Sequence, residues 1–229
     1  MTTYEIIVTV SQATLDALKD GDFALYGFKA VRYGFRDPAA RVTIGGGEPV
    51  IWFVNTSYLN VTTIDWPDAV QAFISATPIV DRAVIKVGDS EAAELGQIVT
   101  VSSAGTLSVT SGGMAGRVTI DNAGTTPWTC GLSQAPGPAY APVCAFPLYG
   151  AMTDMIAPVE RVLLCFAVNV LSAGTVVETA FNAGLLVDFD GATSRAVGFD
   201  INAGWSWGAG TWATPVATGA DLADLLILT

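Results

Sequence analysis

The feature that most constrains the fold is a period of two in hydrophobicity, repeated in short segments. Between residues 97 and 122 the segments QIVTVSS, TLSVTS and GRVTIDN place Ser or Thr opposite Val, Leu or Ile, and glycine turns separate them. Alternation of this kind is typical of half-buried strands, and regular turns between short strands favour a sandwich or a barrel. We therefore predict a mainly β fold, an antiparallel β-sandwich or barrel-like domain, in which residues 97–122 form a meander.

Two short segments carry a helical pattern instead. In SQATLDALKDG, Ser11 is a suitable N-cap, Leu15 and Leu18 share one face, and Gly21 can end the helix. In DWPDAVQAFIS, residues 65–75, a proline and an aspartate suit a first turn and three apolar residues form a stripe. We predict two short helices at the periphery of the β domain.

Size and composition bound the domain organisation and the partners. The 229 residues are 51% hydrophobic and 14% charged, which suffices for one compact core, so we predict a single domain over residues 1–229. The formal net charge is −11 and no Lys/Arg cluster occurs, so a nucleic-acid partner is not expected. Because few charges cover so much apolar surface, we expect the chain to associate with itself as a homo-oligomer.

The sequence also indicates a compartment. The first residues lack the pattern of a secretory signal, and the apolar stretch from Val162 to Val177 is shorter than the roughly 20 residues of a spanning helix. We expect no transmembrane helix and a cytoplasmic location, with leaderless release as an alternative. Cys130, Cys144 and Cys165 lack a C-x-x-C spacing and are expected to be buried thiols, although an oxidising compartment would permit a Cys130–Cys144 disulfide.

Histidine is absent from the chain, which limits the enzymatic chemistry open to it. Histidine is the commonest general base and metal ligand, so most hydrolase triads are excluded. No P-loop and no G-x-G-x-x-G after a strand occurs, so a nucleotide cofactor is not expected. These absences favour a protein that is not an enzyme.

Carboxylates supply the one enzymatic alternative. Asp188, Asp190 and Asp200 lie close together in VDFDGATSRAVGFD, and two aspartates at i and i+2 of a strand face the same side. Such a pair could bind a divalent cation such as calcium at Asp188 and Asp190, or carry acid–base catalysis. Aspartates before a glycine turn are, however, usually solvated hairpin ends, and Arg195 could pair with one of them.

Three tryptophans in DINAGWSWGAGTWATP form the first candidate binding surface. Trp205 and Trp207 alternate and so share a strand face, while Trp212 follows two glycines and could return on a neighbouring strand. Aromatic faces without nearby charge suit carbohydrate or a membrane surface. The alternative is that these large side chains fill the core.

Residues 124–150, GTTPWTCGLSQAPGPAYAPVCAFPLYG, differ in composition from the rest of the chain. They contain five prolines, with Trp128, Tyr140 and Tyr149 between them. We predict a long ordered loop that carries binding residues, the alternative being an Ω-loop sealed by its own aromatic side chains.

These features lead to three functional hypotheses. The first is a lectin-like or surface-recognising binding protein that uses Trp205, Trp207 and Trp212 with the 124–150 segment. The second is a self-assembling structural subunit or a pore-forming toxin-like protein, in which residues 97–122 pair at an edge that lacks protective Lys and Pro. The third is a carboxylate-dependent enzyme.

Overall fold

The computed structural model describes residues 1–35, 46–168 and 170–229. Up to residue 111 the elements are β1 (Thr3–Val10), α1 (Gln12–Asp20), β2 (Ala24–Phe35), β3 (Glu48–Pro49), β4 (Phe53–Asn55), β5 (Val61–Pro67), β6 (Val70–Ser75), β7 (Asp89–Ala93), β8 (Gln97–Val101) and β9 (Leu107–Ser111). They continue as β10 (Val118–Asn122), β11 (Trp128–Gln134), β12 (Ala141–Pro142), β13 (Cys144–Leu148), β14 (Thr153–Ala167), β15 (Gly184–Asp188), β16 (Ser194–Asp200), β17 (Gly204–Trp207), β18 (Ala213–Val216), α2 (Leu222–Leu226) and β19 (Ile227–Leu228).

The strands of the described residues form three sheets. The first has the order β17-β16-β1-β5, and the second has the order β18-β15-β14-β10-β8-β9, with β2 beside β14 and β4 and β19 beside β2. The third has the order β3-β13-β11-β6-β7, with β12 beside β11. Most neighbours are antiparallel, and parallel pairs join β1 to β16, β8 to β10 and β2 to β19. None of these sheets closes into a barrel, so the mainly β, sandwich-like prediction is confirmed.

The longest pairing, between β14 and β2, organises the second sheet. One edge of β14 runs along β2 from Asp154 to Ala167, while β10 and β15 share its other edge. The register breaks once: Pro158 lies opposite Val31 and Val162 lies opposite Lys29. Residues 159–161 of β14 therefore face a single residue of β2, which makes a β-bulge that turns side chains away from the regular alternation.

An ion pair is buried at this bulge. The Lys29 side chain has no exposed surface, and its Nζ lies 2.5 Å from Oε2 of Glu160, whose side chain is 21% exposed. The indole N–H of Trp66 donates to the same oxygen at 3.0 Å, and Nζ lies 4.7 Å above the Trp66 ring. Burial lowers the pKa of Lys29 to about 8, and the Glu160 carboxylate opposes that shift.

The core draws on all three sheets. Ile6 of β1, Val99 of β8 and Leu132 of β11 belong to one cluster and are at most 1% exposed. The three cysteines, Cys130, Cys144 and Cys165, are buried and free, as expected of reduced thiols. Burial raises the pKa of each thiol, so none is a reactive thiolate at neutral pH.

One predicted helix is confirmed and the other is wrong. Ser11 caps α1 by accepting from the backbone N–H of Thr14, and Leu15 and Leu18 are buried. Residues 65–75, predicted as a helix, form the end of β5 and all of β6, because pairing with β7 and β11 on both edges outweighs a short helical stripe. The second helix is α2, and within the described residues no helix is long and apolar enough to cross a membrane.

Two further expectations need correction. The predicted loop at 124–150 contains β11, β12 and β13, because its prolines stand before, between or at the edges of strand pairs rather than interrupting β11. Residues 97–122 form a β8–β9 hairpin, but β10 pairs with β8 in parallel on its other side, so they are not a meander. Each of these three strands has five residues.

Substitution of one partner of the buried ion pair is expected to destabilise the fold more than substitution of both. Glu160→Gln leaves the Lys29 charge without a counter-ion, so at pH 7 the free energy of unfolding should fall by about 3 kcal/mol. Lys29→Met combined with Glu160→Gln should recover most of that loss, because no buried charge remains. Urea unfolding of both variants measures the difference, and equal losses would contradict a buried charge as the cause.

The same ion pair gives a pH dependence. The pKa of Lys29 in the folded protein, about 8, lies below its ordinary value of 10.5, so the unfolded chain binds more protons between these limits. The contribution of Lys29 to the free energy of unfolding should therefore rise as pH increases from about 8 towards 10.5. The double variant lacks the group, and the difference between the two pH profiles isolates its contribution.

Candidate ligand-binding cleft

The predicted tryptophan surface is partly buried against the core. Trp205 lies opposite Phe199 in the β16–β17 pair, and its ring stacks on Phe166 with centroids 5.6 Å apart and planes at 19°. Its indole N–H is buried and meets no acceptor among the described residues. These contacts make Trp205 a packing residue of the first and second sheets.

Trp207 and Trp212 are also partly buried. The indole N–H of Trp207 donates to the carbonyl oxygen of Gly210 at 3.3 Å. The guanidinium of Arg195 lies 4.7 Å from the centroid of the Trp212 ring, a cation–π arrangement. Arg195 thus covers one face of Trp212 and leaves less aromatic surface for a ligand.

The aspartates of the predicted metal or catalytic site make hydrogen bonds that stabilise the fold. Arg161 donates twice to Oδ2 of Asp188, at 3.0 and 2.6 Å, and the backbone N–H of Asp190 donates to its Oδ1 at 3.1 Å. Asp200 accepts from Thr14 and from two backbone N–H groups, and these hydrogen bonds lower its pKa. Within the described residues no group of three or more ligands could hold a metal ion, and calcium binding at Asp188 and Asp190 stays a prediction.

Two aromatic residues of the 124–150 segment line a cleft of about 510 Å³, which we call the Trp128 cleft. Trp128 is the first residue of β11 and lies opposite Leu148 of β13, and Tyr149 follows that strand. Pairing of the two strands thus places both rings at one end of the third sheet. Tyr149 is 46% exposed, whereas Trp128 is partly buried and packs against the turn at Gly105.

Carboxylates form another part of the Trp128 cleft. Glu48 of β3 and Glu178 both line it. Partial burial raises the pKa of Glu48, and the negative charges of Glu178, Asp221 and Asp81 add to that effect. The cleft is therefore acidic, and Arg82, the cation beside Asp81, is itself paired with that residue at 3.7 Å.

Hydrogen bonds fix the polar wall of the cleft. The Thr129 hydroxyl donates to the carbonyl oxygen of Thr77 at 2.6 Å, and the Ser75 hydroxyl donates to the carbonyl oxygen of Lys86 at 2.7 Å. The backbone N–H of Thr77 donates to Ser75 in turn. Ser75, Thr77 and Thr129 all line the cleft, so its wall is ordered before any ligand binds.

The structure thus brings together only part of the predicted set. Trp128 and Tyr149 share a cleft, while Tyr140 lines a separate one with Val109 and Gln97. The sequence did not predict Glu48 and Glu178, because contacts over long sequence distances bring them to the cleft: β3 pairs with β13 at Glu48, and an isolated bridge joins Val50 to Val176 near Glu178. Their only sequence signal is that both are acidic residues beside apolar segments, which is too common to identify a site.

We expect Trp205→Ala to lower the free energy of unfolding by about 3 kcal/mol, since it removes a large ring that stacks on Phe166 and packs at a tilt against Phe199. Trp207→Ala should cost less, because the structure gives that ring no comparable aromatic stack among the described residues. Denaturant unfolding measures both variants. A loss below about 1 kcal/mol for Trp205→Ala would instead favour an exposed binding platform.

Comparisons with known proteins add no functional assignment. No protein-family model matches the chain, and comparisons with curated proteins and with solved structures found no significant similarity. A functional proposal for this chain therefore rests on the geometry of its clefts.

Proposed function

We propose that this protein is a carbohydrate-binding protein that holds a neutral or amino sugar in the Trp128 cleft and does not transform it. The observation that carries this proposal is the meeting of two aromatic rings and two carboxylates, Trp128 and Tyr149 with Glu48 and Glu178, on one cleft. Sugar rings present apolar C–H faces that pack on aromatic side chains. Their hydroxyl groups donate to carboxylates in charge-assisted hydrogen bonds.

The electrostatics of the cleft narrow the ligand class. The pKa of Glu48 is raised by its partial burial and by the negative charge of neighbouring carboxylates, and the same negative charge disfavours sulfated or carboxylated sugars. A volume of about 510 Å³ lies within the range of small-molecule sites. A mono- or disaccharide without negative charge fits both the volume of the cleft and its negative charge.

A glycan array followed by isothermal titration calorimetry with the best uncharged sugar tests the proposal. Tyr149→Ala should weaken binding about tenfold through the loss of the stacking face, and Glu48→Gln should do so through the loss of a charged acceptor. Tyr140→Ala is the matched control, because Tyr140 is 41% exposed, close to the 46% of Tyr149, but lines another cleft. Equal effects of Tyr140→Ala and Tyr149→Ala would contradict this site.

The affinity should also fall as the pH is lowered. Protonation of Glu48 removes its negative charge, and because its pKa is raised the loss should begin at a higher pH than for an ordinary glutamate. Glu48→Gln should abolish this part of the pH profile. An unchanged profile in that variant would show that another group is responsible.

Self-assembly is the second candidate function, favoured by the edge of the second sheet. β9 pairs only with β8 in the described residues and carries no charged residue along Leu107–Ser111. Asp89 of β7 accepts from the backbone N–H of Leu107 at 3.0 Å, at the start of that edge. A second copy could add a strand beside the rest of β9.

Light scattering after size exclusion, across a range of concentrations, tests this candidate. The wild-type protein should form a dimer or a larger assembly, and Ser108→Lys, which places a charge on the exposed β9 edge, should shift it towards monomer. Thr218→Lys adds the same charge at an exposed residue away from β9 and should have no effect. A wild-type monomer at every concentration would exclude assembly through this edge.

A further inference from the structure

A second cleft opens beside the buried ion pair and shares no lining residue with the Trp128 cleft. We call it the Glu160 cleft; it has a volume of about 630 Å³. Tyr4 of β1, Asp68, Glu94 and Glu160 line it together with apolar side chains that include Leu95. None of these residues belongs to the candidate sites that the sequence suggested.

The Glu160 carboxylate is held in one orientation. Its Oε2 accepts from Lys29 at 2.5 Å and from the Trp66 indole at 3.0 Å, and its backbone carbonyl accepts from the N–H of Phe189 at 2.9 Å. Its Oε1 makes no hydrogen bond to a described residue, and the side chain is 21% exposed. The bulge and the two buried donors thus present one free carboxylate oxygen to the cleft.

Charge and hydrogen bonding around that oxygen favour a cation. No Lys or Arg side chain lines the described cleft, whereas Asp68, Glu94 and Glu160 do. Lys29 balances Glu160, and the α-ammonium group of Met1, which also lines the cleft, balances a second carboxylate, so one carboxylate charge stays in excess. Tyr4 also lines the cleft, but its ring is engaged by Trp66, stacked with centroids 5.9 Å apart, and by Phe189, edge-on at 5.6 Å.

The apolar part of the cleft is aliphatic. Val70, Ala93, Leu95 and Pro158 supply it, and they offer no flat aromatic surface. A neighbouring cleft with Tyr140 at its side shares Ala69, Val70, Ala93 and Glu94, so the two form one elongated groove. Glu160 lines one part of this groove, and Glu94 lines both parts.

We infer that this groove binds a linear aliphatic amine, with one ammonium group at Oε1 of Glu160 and the alkyl chain along Val70 and Ala93. A second ammonium group, where the ligand has one, reaches Glu94. The aliphatic floor disfavours sugars, because their hydroxyl groups would meet no acceptor between the carboxylates. The inference does not depend on the Trp128 cleft.

Calorimetry with 1,5-diaminopentane, compared with pentane-1,5-diol, tests the inference. The diamine should bind and the diol, which has the same chain length but no charge, should bind at least tenfold more weakly. NMR of the Trp66 indole N–H, which donates to Glu160, should shift with the diamine and thereby locate it. Equal affinity for both compounds would overturn the inference.

Two conservative variants separate a specific site from general attraction to an acidic protein. Glu94→Gln, at the exposed wall of the groove, should weaken diamine binding about tenfold without affecting folding. Glu91→Gln removes the same charge from an exposed residue of β7 outside the groove and should leave binding unchanged. Equal weakening by both variants, or an unmoved Trp66 signal, would show non-specific attraction and overturn the site.

Failure of amine binding can also be distinguished from failure of the proposed carbohydrate binding. Tyr149→Ala should leave diamine binding intact, since Tyr149 lines only the Trp128 cleft. Diamine binding without sugar binding would support this inference alone, and sugar binding without diamine binding would contradict it while leaving the carbohydrate proposal in place.

Discussion

The buried pair of Lys29 and Glu160 is the interaction on which the arrangement of the sheets depends. It joins β2 to the bulge of β14 in the second sheet, and it accepts a hydrogen bond from Trp66 of the first sheet. Trp66 in turn packs edge-on against Trp52, whose indole donates to the carbonyl oxygen of Gln134 in the third sheet. Burying two charges is costly, and the rings and hydrogen bonds around them limit that cost while fixing how the three sheets meet. The bulge at residues 159–161 makes this possible, because a regular β14 would keep its side chains in step with β2 along the whole pair.

The sequence pattern predicted those strands and the helix whose formation depends on residues close together in the chain. Alternation predicted β8, β9 and β10, and the Ser11 cap with Leu15 and Leu18 predicted α1. It failed for residues 65–75, where β6 is buried between two strands and loses the alternation that marks a half-exposed strand. Long-range pairing, which a single sequence does not display, decides such segments.

The residues of the candidate sites also fall into two groups, those with a local sequence signal and those that only long-range contacts bring into the site. An unusual composition marked Trp128 and Tyr149, but their carboxylate partners come from distant segments and carry no local signal. Lys29 did carry one, since a lysine inside the apolar run FALYGFKAV is out of place in a buried strand unless a counter-ion reaches it. That anomaly identifies one member of the pair, and only the three-dimensional structure identifies Glu160 as the other.

Charge alone does not separate the two clefts, because both are acidic in a protein of net charge −11 and both disfavour anions. The apolar component distinguishes them. In the proposed carbohydrate site, the rings of Trp128 and Tyr149 would meet the C–H surface of a sugar, with carboxylates beside them for its hydroxyl groups. In the proposed amine site, Val70, Ala93 and Leu95 would contact an alkyl chain, which leaves no polar group unpaired. Under the two proposals, the type of apolar side chain, more than the sign of the charge, therefore distinguishes the ligand class of one cleft from that of the other.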